Sequence, residues 1–323
     1  MVARYAEGDG IGRYATQLAA ANREGRTFVR IGIPEGSGDY SRPLHRGPRA
    51  LWLLRDAHRC DDILVHYHPH YYIRGRRASR IACRLSWGLL SCMRRLVVVA
   101  HEADPTYRSK LEETATRWAW RRTGRVVFHS EWERHRHFAR FGSTRRQDLI
   151  VVPHGDFYRS EAVEVSRAEA RQSLGLPGDR TILLMIGFIS PALPDKGYDR
   201  AIQAVTAAGE PGVELHIVGS PIREGPDVEA LLTRLREAAV GPQVSLREQF
   251  LDDDTFDLWI RAADAVLTPY RTASSSGVLA RAHLLGTRVV TSNVGGLAEQ
   301  ADTEDIVIAD DAELVEAVRR LAR

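Results

Sequence analysis

The second half of the chain alternates short, apolar, β-branched runs with longer amphipathic stretches. Runs of strand length recur at 181–186, 213–218, 244–250, 265–270, 288–291 and 306–309. Between them, apolar residues fall at helical spacing over 198–208, 227–239, 253–262, 278–285 and 312–322. The strands are apolar on both faces and the connections are short, which predicts a parallel sheet covered by helices on both sides. The first half repeats the theme less cleanly. Its predicted strands lie at 27–33, 63–67, 96–100, 125–129 and 149–152, and its helices at 11–21, 48–59, 79–93, 107–122 and 131–141. Only Met1 to Tyr5 precede the Gly8-Asp9-Gly10 turn, so the opening strand is expected to be short. From Asp156 to Asp179 no strand pattern occurs, and the stretch ends in Gly175-Leu176-Pro177-Gly178, a linker composition. The reading is α/β: two doubly wound Rossmann-like domains, 1–155 and 156–323, facing across a cleft.

Charge changes that picture. The 323 residues carry a formal net charge of only +3. Residues 1–150, however, hold 28 Lys+Arg against 15 Asp+Glu (+13), and residues 151–323 hold 17 against 27 (−10). A basic half, nearly all arginine, is suited to a polyanion: an anionic membrane face, a lipid-linked acceptor, an acidic glycan or nucleic acid. Arginine usage of a GC-rich genome, with the halves attracting each other, is the plainer alternative. A composition 44% hydrophobic and 27% charged excludes disordered and fibrous classes. No apolar run approaches the ~18 residues of a spanning helix, and no basic-then-apolar leader opens the chain, so a cytoplasmic protein is expected. The three cysteines (Cys60, Cys83, Cys92) lack metal-ligand spacing; Cys83 and Cys92 are expected to pack as small hydrophobes on a helix.

In open parallel sheets, ligands bind beyond the carboxyl ends of the strands. Gly8-Asp9-Gly10-Ile11-Gly12 stands there before a helix, and its glycines would let the backbone approach an anion, although the full dinucleotide fingerprint is missing. His101 closes the 96–100 strand. His66, His68 and His70 alternate with Tyr67 and Pro69, a spacing that would put three imidazoles on one face of an extended chain, yet no second ligand cluster accompanies them and no metal site is assigned. In the second half, Gly187 ends a strand and Lys196-Gly197 opens a helix, where an ammonium would add to the helix dipole for a phosphate. After Thr268-Pro269-Tyr270, the small residues Ser275, Ser276, Gly277 and Val278 start another helix, capping it or cradling a diphosphate.

Taken in order, these stretches resemble the retaining GT-B glycosyltransferases, the family that includes sucrose synthases and bacterial phosphatidylinositol mannosyltransferases. The resemblance is carried by Gly10-Ile11-Gly12-Arg13-Tyr14, Val99-Ala100-His101, Val152-Pro153-His154-Gly155, Gly187-Phe188-Ile189 with Lys196-Gly197, and the run from Ala263 to Tyr270. It continues through Ser276-Gly277-Val278-Leu279, the run from Gly286 to Ser292, and Val294-Gly295-Gly296. It implies a nucleotide-sugar donor held mainly by the second domain, an acceptor held mainly by the first, and no metal or other cofactor. Carried over residue by residue, Lys196 would contact the donor diphosphate and the amides of Ser275 to Val278 would cradle it. Gly12 would approach the phosphate, His101 would lie beside the transferred sugar, and Phe250 and Leu251 would border the base.

Three departures stand out. Phe188 replaces the arginine that usually follows the glycine. The family's Glu-x7-Glu pair falls on Ala273 and Arg281, which makes Arg281 a variant donor contact. The chain stops after one helix where relatives usually continue. A catalytically silent relative acting as a binding or scaffold partner is therefore the second reading. A third is nucleic-acid binding by the arginine- and aromatic-rich stretch 117–146, disfavoured because its aromatics fall in helix and strand patterns. A membrane carrying a lipid-linked acceptor, met at the inner face, suits that basic surface better.

Overall fold

The computed structural model describes residues 2–3, 10–21, 31–32, 40–41, 55–56, 58–67, 77–101, 110–145, 147–154, 163–191, 195–221, 223–239 and 241–322. The chain divides into two units, Met1–Phe157 and Tyr158–Arg323, against the 155/156 boundary expected from the sequence.

The first unit contains β1 (Val2–Ala3), α1 (Gly10–Ala21), β2 (Ile31–Gly32), β3 (Tyr40–Ser41), β4 (Ile63–Tyr67), α2 (Arg77–Ser91) and β5 (Leu96–Ala100). It continues with α3 (Lys110–Trp120), β6 (Arg125–Phe128), α4 (Glu131–Phe141) and β7 (Asp148–Val151). The seven strands form one sheet in the order β3-β2-β1-β4-β5-β6-β7, with every pairing parallel. Val65, Tyr67, Val98, Ala100, Val126 and Phe128 supply its core, against Trp87 and Leu90 of α2, Trp120 of α3 and Phe141 of α4. The order reverses between β1 and β4, the switch point at which doubly wound sheets take ligands. The predicted helix at 48–59 lies mostly outside the described residues, as does the turn at Gly8-Asp9.

The second unit opens with α5 (Arg167–Leu174), β8 (Thr181–Ile186), α6 (Tyr198–Ala208), β9 (Val213–Gly219), α7 (Pro226–Ala238) and β10 (Val244–Glu248). Then follow α8 (Asp253–Ala262), β11 (Ala265–Thr268), α9 (Gly277–Leu284), β12 (Val289–Ser292), α10 (Leu297–Gln300), β13 (Ile306–Ile308) and α11 (Asp311–Leu321). Its sheet runs β10-β9-β8-β11-β12-β13, again all parallel. Alternate residues of β8 feed opposite faces: Leu183 and Met185 pack under α6, α7 and α11, while Ile182, Leu184 and Ile186 pack with α5, α8 and α9. That double covering is why the strand reads as unbroken hydrophobicity.

Helix α5 corrects the expected linker. Ser166 accepts from the Glu169 amide while Glu169 reaches back to the Ser166 amide, and Gly175 closes the helix in the left-handed region. The Ser-x-x-Glu capping box and the glycine stop were both present in the sequence. Arg171 fastens this helix to the sheet, donating to the Ala262 and Gly178 carbonyls and to Asp264. Cys92 corrects another expectation: it lies just past α2 and is exposed. The side chain of Cys83 falls outside the described residues.

Candidate functional site

In the second unit, three pieces of backbone converge at the carboxyl edge of the sheet. Strand β8 runs into Gly187, whose φ of 107° disfavours any side chain. A Cβ there would stand 3.4 Å from Lys196 Nζ and 3.8 Å from Val278 Cγ2, so the glycine keeps open a space between the lysine and the start of α9. The Lys196 ammonium donates to the Phe188 carbonyl at 2.7 Å. Burial lowers its pKa to about 8, because a charge out of water is disfavoured, yet it stays mostly protonated at neutral pH. Gly197, at φ 66°, is the close-approach point: a Cβ would lie 2.2 Å from the Pro269 carbonyl oxygen. Arg200 of α6 locks the same corner, donating to Pro269 O at 2.9 Å and to Ser292 Oγ at 3.0 Å.

The start of α9 is more occupied than the sequence suggested. Ser276 Oγ accepts from the Leu279 amide at 3.3 Å, and the Ser276 amide donates to Gln300 Oε1 at 2.7 Å. A helix leaves its first N–H groups without internal acceptors. Here Ser276 and Leu279 are satisfied, and those of Gly277 and Val278 have no acceptor among the described residues. The expected cradle of Ser275 to Val278 thus narrows to Gly277 and Val278 unless Gln300 lets go.

Two further expectations are corrected. Leu251 is 6% exposed and belongs to the core of the unit, whereas Phe250 is 51% exposed; of the two only the phenyl ring is presented to solvent. Arg281 is not aimed at a ligand. Its Nε donates to Asp257 Oδ1 at 2.7 Å and its second amino group to Oδ2, with the two side chains 6% and 3% exposed. The fork meets a carboxylate on α8, so the charge that replaced the family's glutamate is neutralised inside the protein.

The carboxyl edge of the first sheet is built from imidazoles. His66 lies in β4, and His101, His129 and His154 follow β5, β6 and β7. Parallel register carries all four to one edge, where Tyr14 of α1 meets them edge-on at centroid distances of 5.6, 5.6, 5.4 and 4.9 Å. His66 Nδ1 is 3.0 Å from His101 Nε2, and His129 stacks on His154 at 4.2 Å. His129 Nδ1 lies 3.1 Å from the Val152 carbonyl; a carbonyl only accepts, so this ring carries its proton on Nδ1. Burial lowers His66 to about 3 and His129 to about 4, and it holds His154 well below the ordinary range. These three rings are therefore neutral at pH 7, suited to exchanging hydrogen bonds with hydroxyls and unsuited to holding an anion.

His68 and His70 fall outside the described residues, and among the described residues no group of three His, Cys, Asp or Glu is placed to hold a metal ion. Gly12 sits inside the first turn of α1, which starts at Gly10, one residue before the expected 11–21, and its carbonyl accepts from Thr16 Oγ1 at 2.9 Å. Sequence reasoning missed Tyr14, His129, Gln300 and Asp257 as site-shaping residues. His129 stood at a predicted strand end and was findable; Gln300 and Asp257 act on residues 24 positions away with no local signal.

The family model for glycosyl transferases, group 1, matches residues 180–323. Among curated proteins, the D-inositol 3-phosphate glycosyltransferase of Geodermatophilus obscurus is 29% identical over 287 residues, covering 83% of this chain and 61% of that protein. The 2-deoxystreptamine glucosyltransferase of Streptomyces kanamyceticus is 25% identical, covering 83% and 70%. The chain spans only 61%, 55% and 51% of three D-inositol 3-phosphate glycosyltransferases that it matches. Among solved structures, Anabaena Alr3699/HepE in complex with UDP and glucose aligns with a TM-score of 0.73 at 16% identity, covering 99% of this chain and 88% of that one. Sucrose-phosphate synthase from Thermosynechococcus elongatus aligns at 0.69 and 18% identity, covering 100% and 90%. In fold the chain is a GT-B protein, and the match to the glycosyl transferases, group 1, lies within its second unit.

Proposed function

We propose that this protein transfers a sugar from a nucleotide-sugar donor to an acceptor, with retention of configuration and without a metal or other cofactor. The observation that carries the proposal is the meeting of Gly187, Lys196 and the first turn of α9. When the glycosidic bond breaks, the departing diphosphate gains negative charge. A fixed ammonium and the Gly277 and Val278 amides, already turned toward that charge, lower the barrier without reorganising solvent. Bound phosphate also raises the lysine pKa back from about 8, which keeps it charged when needed. The exposed Phe250 ring provides a face for the base. The second unit holds the donor; the first supplies His101 and an acceptor site whose surroundings suit a lipid-linked or glycan acceptor. A relative named for glycosyl transfer and a structural neighbour seen with UDP and glucose support this reading.

A second reading, a silent binding partner, is favoured by one observation: Ala273 and the Asp257-paired Arg281 leave no carboxylate at either family position. Thermal melts with UDP, GDP and ADP, together with a nucleoside diphosphate release assay using the corresponding sugars, separate the two. At least one nucleotide is expected to raise Tm, since saturating ligand at about 100 Kd stabilises by about 2.7 kcal/mol. Lys196→Ala is expected to weaken that nucleotide's binding by roughly tenfold or more, the worth of a charge-assisted contact. No shift with any nucleotide would sink the donor site. A shift without release would favour the silent relative.

A further inference from the structure

We infer that the outer face of α2, with the arginine-lined cavity at its C-terminal end, is a docking surface for an anionic lipid bilayer. Ile81, Leu85 and Leu89 recur every four residues, so they form one stripe along the helix. They are 49%, 64% and 51% exposed. Single exposed leucines are ordinary, but a contiguous strip marks an interaction site. The helix does not need this stripe for anchorage, because Trp87 and Leu90 already bury its inner side. Trp118 of α3 widens the strip: it is 47% exposed and crosses α2 at Gly88, where a Cβ would stand 3.1 Å from its ring. The Arg122 guanidinium lies 4.3 Å from the centroid of that indole.

At its end the stripe meets charge. Exposed Cys92 lines a cavity of about 750 Å3 with Arg94, Arg95, Arg121, Arg122 and Arg125, opposed by two acidic residues, Asp62 and Asp148. Among the described residues, Arg125 approaches Asp148 at 3.8 Å, while the other four have no carboxylate at ion-pair distance. Basic residues do offset the carbonyl ends of helices, but two helix ends do not call for five arginines. Residues 77–101 contain five arginines and no acidic residue. Leucine, isoleucine and tryptophan beside arginine forks is the composition of a membrane-interface element: the apolar strip enters the headgroup boundary and the guanidinium groups pair with lipid phosphates. A second copy of the chain fits poorly, since joining two such faces sets arginine against arginine. No donor sugar is needed for this contact, so it stands or falls apart from the proposed activity.

The test is flotation of the full chain with vesicles of phosphatidylcholine alone or mixed with phosphatidylglycerol, at low and high salt. Binding is expected only with phosphatidylglycerol and only at low salt. Leu85→Ser with Leu89→Ser is expected to lower partitioning roughly tenfold, with unchanged circular dichroism and Tm. Arg94→Ala, Arg121→Ala and Arg122→Ala together are expected to remove the salt dependence. Quenching of Trp118 by brominated lipid, lost in Trp118→Phe, reports the same contact without relying on a folded double variant. The inference is overturned by equal binding to both vesicle types, by phosphatidylglycerol binding that both sets of variants leave untouched, or by a dimer that Leu85→Ser with Leu89→Ser dissociates in the absence of any vesicle binding.

Discussion

At the carboxyl edge of the first sheet, imidazoles gather round a tyrosine; at the same edge of the second, a lysine, helix amides and positive-φ glycines meet. The strand orders agree from the third strand outward through the switch point, so topology does not explain the contrast. Residue volume does. In the first unit the space beyond the strands is filled by rings in mutual contact, which excludes water and holds His66, His129 and His154 neutral. In the second, Gly187, Gly197 and Gly219 leave the space to backbone: a Cβ at Gly219 would lie 2.0 Å from the Gly187 carbonyl oxygen. One fold thus makes an edge of packed neutral rings or an edge of backbone amides and a lysine according to what a few loop positions carry.

The contrast can be broken hardest with acid. Rings held neutral by burial do not take up protons until pH reaches about 3 for His66 and about 4 for His129, whereas the unfolded chain does so near 6.5. Folded-state pKa values below the unfolded value mean that stability is complete above about 6.5. It is then lost as pH falls toward the folded values, by about 1.4 kcal/mol per pH unit for each ring. Denaturant melts of wild type and His129→Asn across this range are expected to show a shallower pH slope in the variant. Identical slopes would mean that the ring is hydrated.

Next in size is the buried pair that replaced the family carboxylate. Asp257→Ala strands the Arg281 guanidinium and is expected to cost about 3–5 kcal/mol. The double change Asp257→Leu with Arg281→Met is expected to recover most of that loss, as read by chemical denaturation. If the double variant is as unstable as the single one, packing rather than charge accounts for the pair. Smallest is the α9 cap: Ser276→Ala removes the side-chain acceptor for Leu279 and is expected to cost about 1 kcal/mol. Nucleotide binding should change little, since the Gly277 and Val278 amides stay in place; a large loss of nucleotide affinity would show that the hydroxyl itself touches the ligand.

Strand and helix positions were legible because parallel strands covered on both faces must be apolar throughout and their helices must be amphipathic. The predicted 181–186, 198–208, 253–262, 63–67 and 96–100 coincide with β8, α6, α8, β4 and β5. Helix α5 went unread although its capping box and terminal glycine were in plain view, because the Gly-Leu-Pro-Gly that follows it reads as linker. Gly187, Lys196 and the serines before α9 stand out in the sequence by their place at a strand end or a helix start, a local property.

What the chain alone determined, then, was periodicity, charge distribution and which short motifs stand at strand ends, since each is written within a few consecutive residues. Partnership was settled only by tertiary structure. The carboxylate that absorbs Arg281, the Gln300 side chain that occupies the Ser276 amide and the burial that keeps His66, His129 and His154 neutral join residues brought together by register and packing. Hydrogen bonds and desolvation act over a few ångströms of space, whatever the separation along the chain.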